Sequence, residues 1–322
     1  MNRPPHTPPA LSVVIPLFHE GGHLRDVLKT ICAALDALDA PYELVLVDDG
    51  SDDDTWSVVE ETAAGRNDTR GIRLSRNFGK EAALCAGLEA ARGQAVLVMD
   101  GDLQHPPSLI AEMWKLWKAG GVDVVEAVKV DRGREPLVNR LGSRLFYGFL
   151  SRFSGYDLDN STDFKLMDRK VVEAWLRLGE RNLFFRGMNA WLGFVRVQVP
   201  FEVAKRAAGA SHWSLLRLVR LAITGVTAFS TTPLHIVTFT GGLFLLAALG
   251  LGLQTLFNKL AGRAVDGFTT VILLQLIIGS LLMISLGVIG TYIAKIYREV
   301  KGRPRFIVRE QVGMEAESDE TA

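Results

Sequence analysis

Two aspartates separated by one glycine, Asp100-Gly101-Asp102, stand where an apolar run from Ala95 to Met99 stops and a proline pair, Pro106-Pro107, closes the loop. Carboxylates at this spacing can share one hard divalent cation, Mg²⁺ or Mn²⁺, which typically also takes phosphate oxygens from a substrate. Gly101 makes the bend between them permissible. An isolated Asp-x-Asp is more often a solvated turn, so the reading rests on its company. A second apolar run, Tyr42 to Val47, ends in Asp48-Asp49-Gly50-Ser51-Asp52-Asp53-Asp54. Asp49 lies nearest the strand end; Asp52 to Asp54 read equally well as a helix cap. Ser75-Arg76-Asn77-Phe78-Gly79-Lys80 puts Arg76 and Lys80 at a strand-to-helix turn, where they could face a diphosphate. Gly79-Lys80 is not a P-loop, because no glycine stands five residues before it and no Ser or Thr follows Lys80.

The elements that must position these groups follow from periodicity. Leu11 to Pro16, Tyr42 to Val47, Gly71 to Leu74, Ala95 to Met99 and Val122 to Val128 read as strands, the last with Lys129 at its end. Helical patterns from Leu24 to Leu38, Glu81 to Ala91 and Ser108 to Ala119 separate them. Strand, helix, strand at this spacing is a βαβ unit with a right-handed crossover. Such strands point their carboxyl ends, where ligands bind in open α/β sheets, to one edge. No G-x-G-x-x-G follows the first strand, so a dinucleotide-binding reading lacks its phosphate loop. Further on, Asp163 precedes an apolar segment and a helix, Val195 to Val203 reads as a late strand, and Lys205 to Trp213 as a basic, glycine-containing loop.

Composition sets the wider frame. The chain holds 36 basic and 36 acidic residues, so no global field points to nucleic acid. Leu221 to Asn258 and Gly267 to Ala294 contain no Lys, Arg, Asp or Glu, and each exceeds the roughly 20 apolar residues a membrane span needs. Two transmembrane helices are expected, about Leu234 to Phe257 and Phe268 to Ala294, with Pro233 breaking the chain before the first. Basic residues crowd the outer flanks (Lys205, Arg206, Arg217 and Arg220 before, Lys295 to Arg309 after), against only Lys259 and Arg263 in the intervening loop. The positive-inside rule therefore places both flanks, and the large N-terminal domain, in the cytoplasm. The first nine residues have no apolar h-region and read as a disordered lead. Cys32 and Cys85 fall on helices of a cytoplasmic domain, which argues against a disulfide or metal role. Pro136 to Phe153 reads as a helix with an aromatic face, packed in the core or lying in the membrane interface, and Ser214 to Phe229 as a juxtamembrane helix.

Taken in order, Val14-Ile15-Pro16-Leu17-Phe18-His19-Glu20, Val47-Asp48-Asp49-Gly50-Ser51, Ser75 to Glu81, Met99 to Pro107, Asp163-Phe164-Lys165-Leu166 and Tyr297-Arg298-Glu299-Val300-Lys301-Gly302-Arg303-Pro304 form an ordered set. With the two spans, it closely resembles the family 2 glycosyltransferases that load a sugar onto polyisoprenyl phosphate, bacterial relatives of dolichol-phosphate mannosyltransferase. The match runs from about Leu11 to Val308.

The resemblance implies an α/β fold: a GT-A, Rossmann-like nucleotide-sugar domain (11–210), a juxtamembrane helix (211–232), a two-helix transmembrane hairpin (233–295) and a basic tail (296–322) after the lead (1–10). It implies that Pro16, Phe18, Glu20, Val47 and Asp49 hold the nucleoside. Asp100, Gly101 and Asp102 would hold the diphosphate through Mg²⁺ or Mn²⁺, with Lys129 and Arg206 nearby. Asp163 matches the catalytic carboxylate, with Asp102 beside it in the catalytic set. The implied donor is a nucleotide sugar, UDP-glucose for example, the acceptor is undecaprenyl phosphate at the inner face of the cytoplasmic membrane, and the assembly is a homo-oligomer, a tetramer among the options. Two departures stand out. The metal motif more often reads Asp-Ala-Asp, and Gly209-Ala210-Ser211-His212 replaces Gly-Glu-Ser-Lys, which puts His212 where a phosphate-binding lysine is usual and ties that contact to pH. A non-catalytic nucleotide-sugar-binding scaffold or flipping helper is the competing class. A processive polysaccharide synthase is disfavoured because no Q-x-x-R-W motif appears.

Overall fold

The structure, a computed structural model, describes residues 9–131, 161–181, 185–202, 232–262 and 267–313. The chain divides into two compact units, one running to Trp213 and resuming at Arg303, the other Ser214–Gly302. The expected helices at 136–153 and 214–229 lie outside the described residues.

The first unit is built on a mixed sheet of eight strands among the described residues, in the order β7-β5-β6-β4-β1-β2-β3-β8. They are β1 (Leu11–Leu17), β2 (Tyr42–Asp48), β3 (Thr69–Leu74), β4 (Ala95–Val98), β5 (Val124–Asp131), β6 (Ser161–Asp168), β7 (Arg196–Glu202) and β8 (Val308–Val312). Helices α1 (Gly21–Asp36), α2 (Thr55–Gly65), α3 (Lys80–Ala90) and α4 (Ser108–Lys118) connect the strands of the first half. Two shorter helices follow, α5 (Arg169–Arg177) and α6 (Phe185–Trp191).

The expected βαβ order is present: β1 pairs parallel with β2 and with β4, and β2 with β3. Val13, Val14 and Ile15 on β1, and Leu44 to Val47 on β2, have no solvent exposure. A strand covered on both faces reads as a continuous apolar run, which is why these were visible in the sequence. Each such side chain contributes about 1.5–3 kcal/mol on burial. Helix α1 buries Leu24, Val27, Leu28, Ile31 and Leu35, one stripe at helical spacing.

The second half departs from a simple parallel sheet. The segment that begins at Ser161, expected only as an apolar stretch ahead of a helix, is a full strand, β6, inserted antiparallel between β4 and β5. At the opposite edge β8, within the stretch that reads from sequence as a basic tail, pairs antiparallel with β3. The segment leading to it is fastened to the same unit: Ser75 N donates to Ile307 O at 2.9 Å, Arg181 Nε to Arg303 O at 2.7 Å, and Arg305 to the Leu178 carbonyl.

The second unit contains two long helices, α7 (Thr232–Leu260) and α8 (Phe268–Val300). By length and composition both can cross a membrane, with mean hydropathy 2.1 over Leu234–Leu260 and 2.2 over Leu274–Val300. Pro233 falls in the first turn of α7, where a missing N–H costs nothing, so it starts the helix instead of preceding it.

Candidate active site

Because β1, β2, β3 and β4 run parallel, the residues that follow them gather at one edge: Phe18 to Glu20, Asp49 to Asp54, Ser75 to Lys80 and Asp100 to Asp102. Strand β6 runs the other way, so its first residues reach that same edge. Its register pairs Val98 with Lys165, and continuing that pairing by two residues brings Asp163 beside Asp100.

The metal-motif loop turns through Gly101 and Asp102, and its left-handed residue is Leu103 (φ 55°). A non-glycine residue held there is a strained feature typical of functional loops. Gln104 N donates to Asp102 Oδ1 at 3.1 Å, fixing that carboxylate within the turn. Gly101 is buried, and a Cβ on it would lie 2.9 Å from Leu17 Cδ2, the movable end of a side chain.

At the centre of the edge is one charged cluster. Lys80 Nζ lies 2.5 Å from Asp100 Oδ1 and 2.7 Å from Asp163 Oδ2, so a single ammonium joins the metal motif to the catalytic candidate. Arg186 grips Asp163 from the other side, Nε donating to Oδ1 at 2.7 Å and Nη2 to Oδ2 at 3.0 Å. Burial opposes the Asp163 charge, but Arg186 and then Lys80 outweigh it and hold the carboxyl far below the usual carboxylate range. Burial likewise opposes the charge on Lys80, and Asp100 and Asp163 together raise its pKa. Asp163 and Lys80 are therefore both charged, fixed opposite charges at a sheet edge. Arg186 carried no sequence signal beyond being a lone cation in the apolar stretch Leu183 to Met188.

The expected nucleoside-binding residues share this edge. Pro16 and Val47 are register partners on β1 and β2. Phe18 is exposed and stacks on His19 at 3.9 Å, offering a free aromatic surface. Glu20 pairs with His23 at 2.6 Å; burial, with the charges of Asp102 and Asp100 added, raises its carboxyl against the pull of His23. Asp49 is buried and accepts from Phe78 N and Gly79 N, both at 2.8 Å, so it also anchors the loop that delivers Lys80. Gly50 (φ 72°) lies so near that loop that a Cβ would be 2.4 Å from the Arg76 carbonyl carbon. Arg76 itself lies over the Phe78 ring at 4.1 Å and donates to Asn77 O, apart from the Lys80 cluster. Lys129 is on β5, in register with Phe201; its side chain, and Arg206 and His212 altogether, lie outside the described residues.

The donors at Asp100 and Asp102 are hard carboxylate oxygens. Among the described residues no group of three or more His, Cys, Asp or Glu side chains is assembled to hold a metal by itself. Those oxygens fit a hard divalent cation, Mg²⁺ or Mn²⁺, held by one or two carboxylates and completed by substrate phosphates.

Comparison with known proteins agrees with this architecture. Residues 12–177 match the model of "Glycosyl transferase family 2". An uncharacterised glycosyltransferase of Synechocystis sp. is 36% identical over 307 residues, covering 95% of this chain and 96% of that protein. The bactoprenol glucosyl transferase of Shigella phage SfII is 35% identical over 301 residues, covering 93% and 97%. Among solved structures, glucosyl-3-phosphoglycerate synthase from Mycobacterium tuberculosis with Mn²⁺, UDP-glucose and phosphoglyceric acid is 23% identical, with a TM-score of 0.47 over 70% of this chain and 85% of its own. With the ordered motifs, the sheet and the charged edge in agreement, the chain belongs to glycosyl transferase family 2, with a GT-A type mixed sheet followed by two apolar helices.

Proposed function

We propose that the protein transfers a sugar, glucose being the first candidate, from a nucleotide diphosphate sugar to a polyprenyl phosphate, with the catalytic domain in the cytoplasm and α7 and α8 spanning the membrane. One observation carries the reading: Lys80 lies within ion-pair distance of both Asp100 and Asp163, so the diphosphate end and the acceptor end of the reaction meet in one cluster. The name of the phage relative supports a polyprenyl acceptor, and the two apolar helices keep the enzyme in the same bilayer as such a lipid.

The reaction is a displacement. A phosphate oxygen of the acceptor forms a bond to the anomeric carbon, the bond from that carbon to the diphosphate breaks, and the electron pair leaves on the diphosphate with inversion. Asp100 and Asp102 would hold the divalent cation, which, when bound, supplies Lewis-acid stabilisation of the leaving diphosphate. Lys80 adds positive charge where that negative charge develops. A phosphate monoester has a second pKa of about 6 and needs little help to lose its proton at pH 7. Asp163, clamped by two cations and held far below the usual carboxylate range, is a poor base. Its role is to orient the acceptor and to stabilise positive charge at the anomeric carbon.

The test is nucleoside diphosphate release by the full-length protein in detergent, from a panel of UDP- and GDP-sugars, with and without undecaprenyl phosphate and Mg²⁺ or Mn²⁺. Release from one donor only when lipid and cation are both present is expected. A folded, nucleotide-binding protein that releases nothing from any donor would instead be the scaffold.

A further inference from the structure

Glu81 follows Lys80 in the first turn of α3, yet it touches neither Asp100 nor Asp163. Its Oε2 accepts from the backbone N–H of Phe185, 104 residues away in sequence, at 3.0 Å. Lys80 and Glu81 are neighbours at the start of α3, and Phe185 and Arg186 are neighbours at the start of α6. One member of each pair binds Asp163, and the other two bind each other. The result is a closed ring: Asp163 to Lys80, along the chain to Glu81, across to Phe185, along the chain to Arg186, and back to Asp163.

We propose that Glu81 is a positioning residue that fixes the Phe185–Arg186 backbone against α3, so that Arg186 and Lys80 hold Asp163 from two sides. Gross docking of α6 does not depend on it, because the Phe185 ring is fully buried and meets Trp175 edge-on at 5.9 Å. What Glu81 adds is register: the N–H it accepts is one of the donors that a helix start leaves without an intrahelical partner. A shift of about 1 Å in a group that orients reacting atoms can cost on the order of 10²-fold in rate. Burial, with the neighbouring Asp163 charge, pushes the Glu81 carboxyl up to about 7. The neutral acid is thus accessible at physiological pH, and glutamine is a fair mimic that keeps an acceptor oxygen.

The kinetic consequence rests on the function proposed above; the structural one does not. Two variants of the full-length protein separate the acceptor from the bulk: Glu81→Gln keeps the acceptor oxygen, and Glu81→Met keeps an unbranched chain without it. Hydrogen exchange needs no substrate. The amides from Phe185 to Met188 should exchange about tenfold faster in Glu81→Met and at the wild-type rate in Glu81→Gln. In turnover, Glu81→Met should lower kcat about tenfold with KM for the donor within about threefold, and Glu81→Gln should recover most of it. A Glu81→Met variant with unchanged exchange overturns the proposal even if no donor is ever found. So does equal loss of turnover in Glu81→Gln and Glu81→Met. Altered exchange with full kcat would leave Glu81 as a stabilising contact only, and would also overturn it.

Discussion

Strand β6 carries two charged contacts two residues apart, and their surroundings differ sharply. Side chains at alternate positions project from the same face of a strand, so Asp163 and Lys165 differ chiefly in depth. Lys165 lies inside the sheet, 2.8 Å from Glu126 of the neighbouring strand, and both side chains are almost without solvent exposure. Burial pushes the Lys165 ammonium below its usual range while Glu126 works to hold it up. Asp163 stands at the carboxyl edge, held by helices instead of by a neighbouring strand, and one of its partners, Lys80, is 41% exposed and shared with Asp100. A dry pair cannot exchange partners without stranding a charge, which is costly. A shared ammonium with access to water can redistribute when a polyanionic substrate arrives. The same kind of contact therefore braces the fold at one position and, under the function proposed, balances charge for chemistry at the other.

The comparison breaks most visibly at the dry pair. Glu126→Ala should cost about 3–5 kcal/mol of stability, because it removes the carboxylate beside a buried ammonium. Adding Lys165→Met should restore most of that loss. Denaturant titration of the two variants measures both, and a single variant as mild as the double would remove the distinction drawn here. Asp163→Asn should do the reverse, with kcat falling about 10²–10³-fold, or about 2.7–4 kcal/mol of transition-state stabilisation, and a smaller change in Tm than Glu126→Ala produces. Near-normal turnover with saturating acceptor would end the catalytic assignment of Asp163.

A pH profile sharpens the contrast further. The Asp163 carboxyl in the folded protein lies far below its unfolded value of about 3.9. Its stabilisation is therefore fully present above about pH 4 and is lost only as pH falls through the folded value. Between pH 5 and 9 it does not titrate. An acid limb between about pH 6 and 7 would belong to the acceptor phosphate or to Glu81, whose carboxyl burial raises to about 7, and the residual activity of Asp163→Asn should keep it; its disappearance would make Asp163 the titrating base. The smallest effect is expected at Gly101→Ala, about 1 kcal/mol, since the new methyl meets the movable end of the Leu17 side chain at 2.9 Å and Ile15 Cγ2 only at ordinary contact distance. A large loss of cation or donor affinity there, read by calorimetry, would show that the loop needs glycine for its backbone after all.

What could be foreseen divides along the sheet. The parallel half was legible because β1, β2 and β4 are buried on both faces and end in carboxylates, so pattern and chemistry point to the same edge. Asp163 was identified by motif alone; that it begins a strand, and that antiparallel register sets it beside Asp100, depends on a partner strand far away in sequence. Arg186 and Glu81 draw their roles from contacts with residues some twenty to a hundred positions distant, and neither residue type announces that. The left-handed residue of the metal-motif loop is Leu103, a local conformation decided by tertiary packing that its residue type does not announce. Strand β8 was missed because Val-Arg-Glu-Gln-Val alternates too briefly, amid basic residues, to stand out as a strand.

That last strand has a consequence for how the protein is made. Val308–Val312 is translated after both apolar helices, yet it completes the sheet of the unit translated before them by pairing with β3. Until it arrives, β3 presents an open row of backbone donors and acceptors, the kind of edge that recruits other chains. Domains ordinarily fold as their residues emerge from the ribosome, but this one stays unfinished until the helices that precede its last strand have been synthesised. Completion of the sheet is thereby timed to follow the synthesis of both apolar helices.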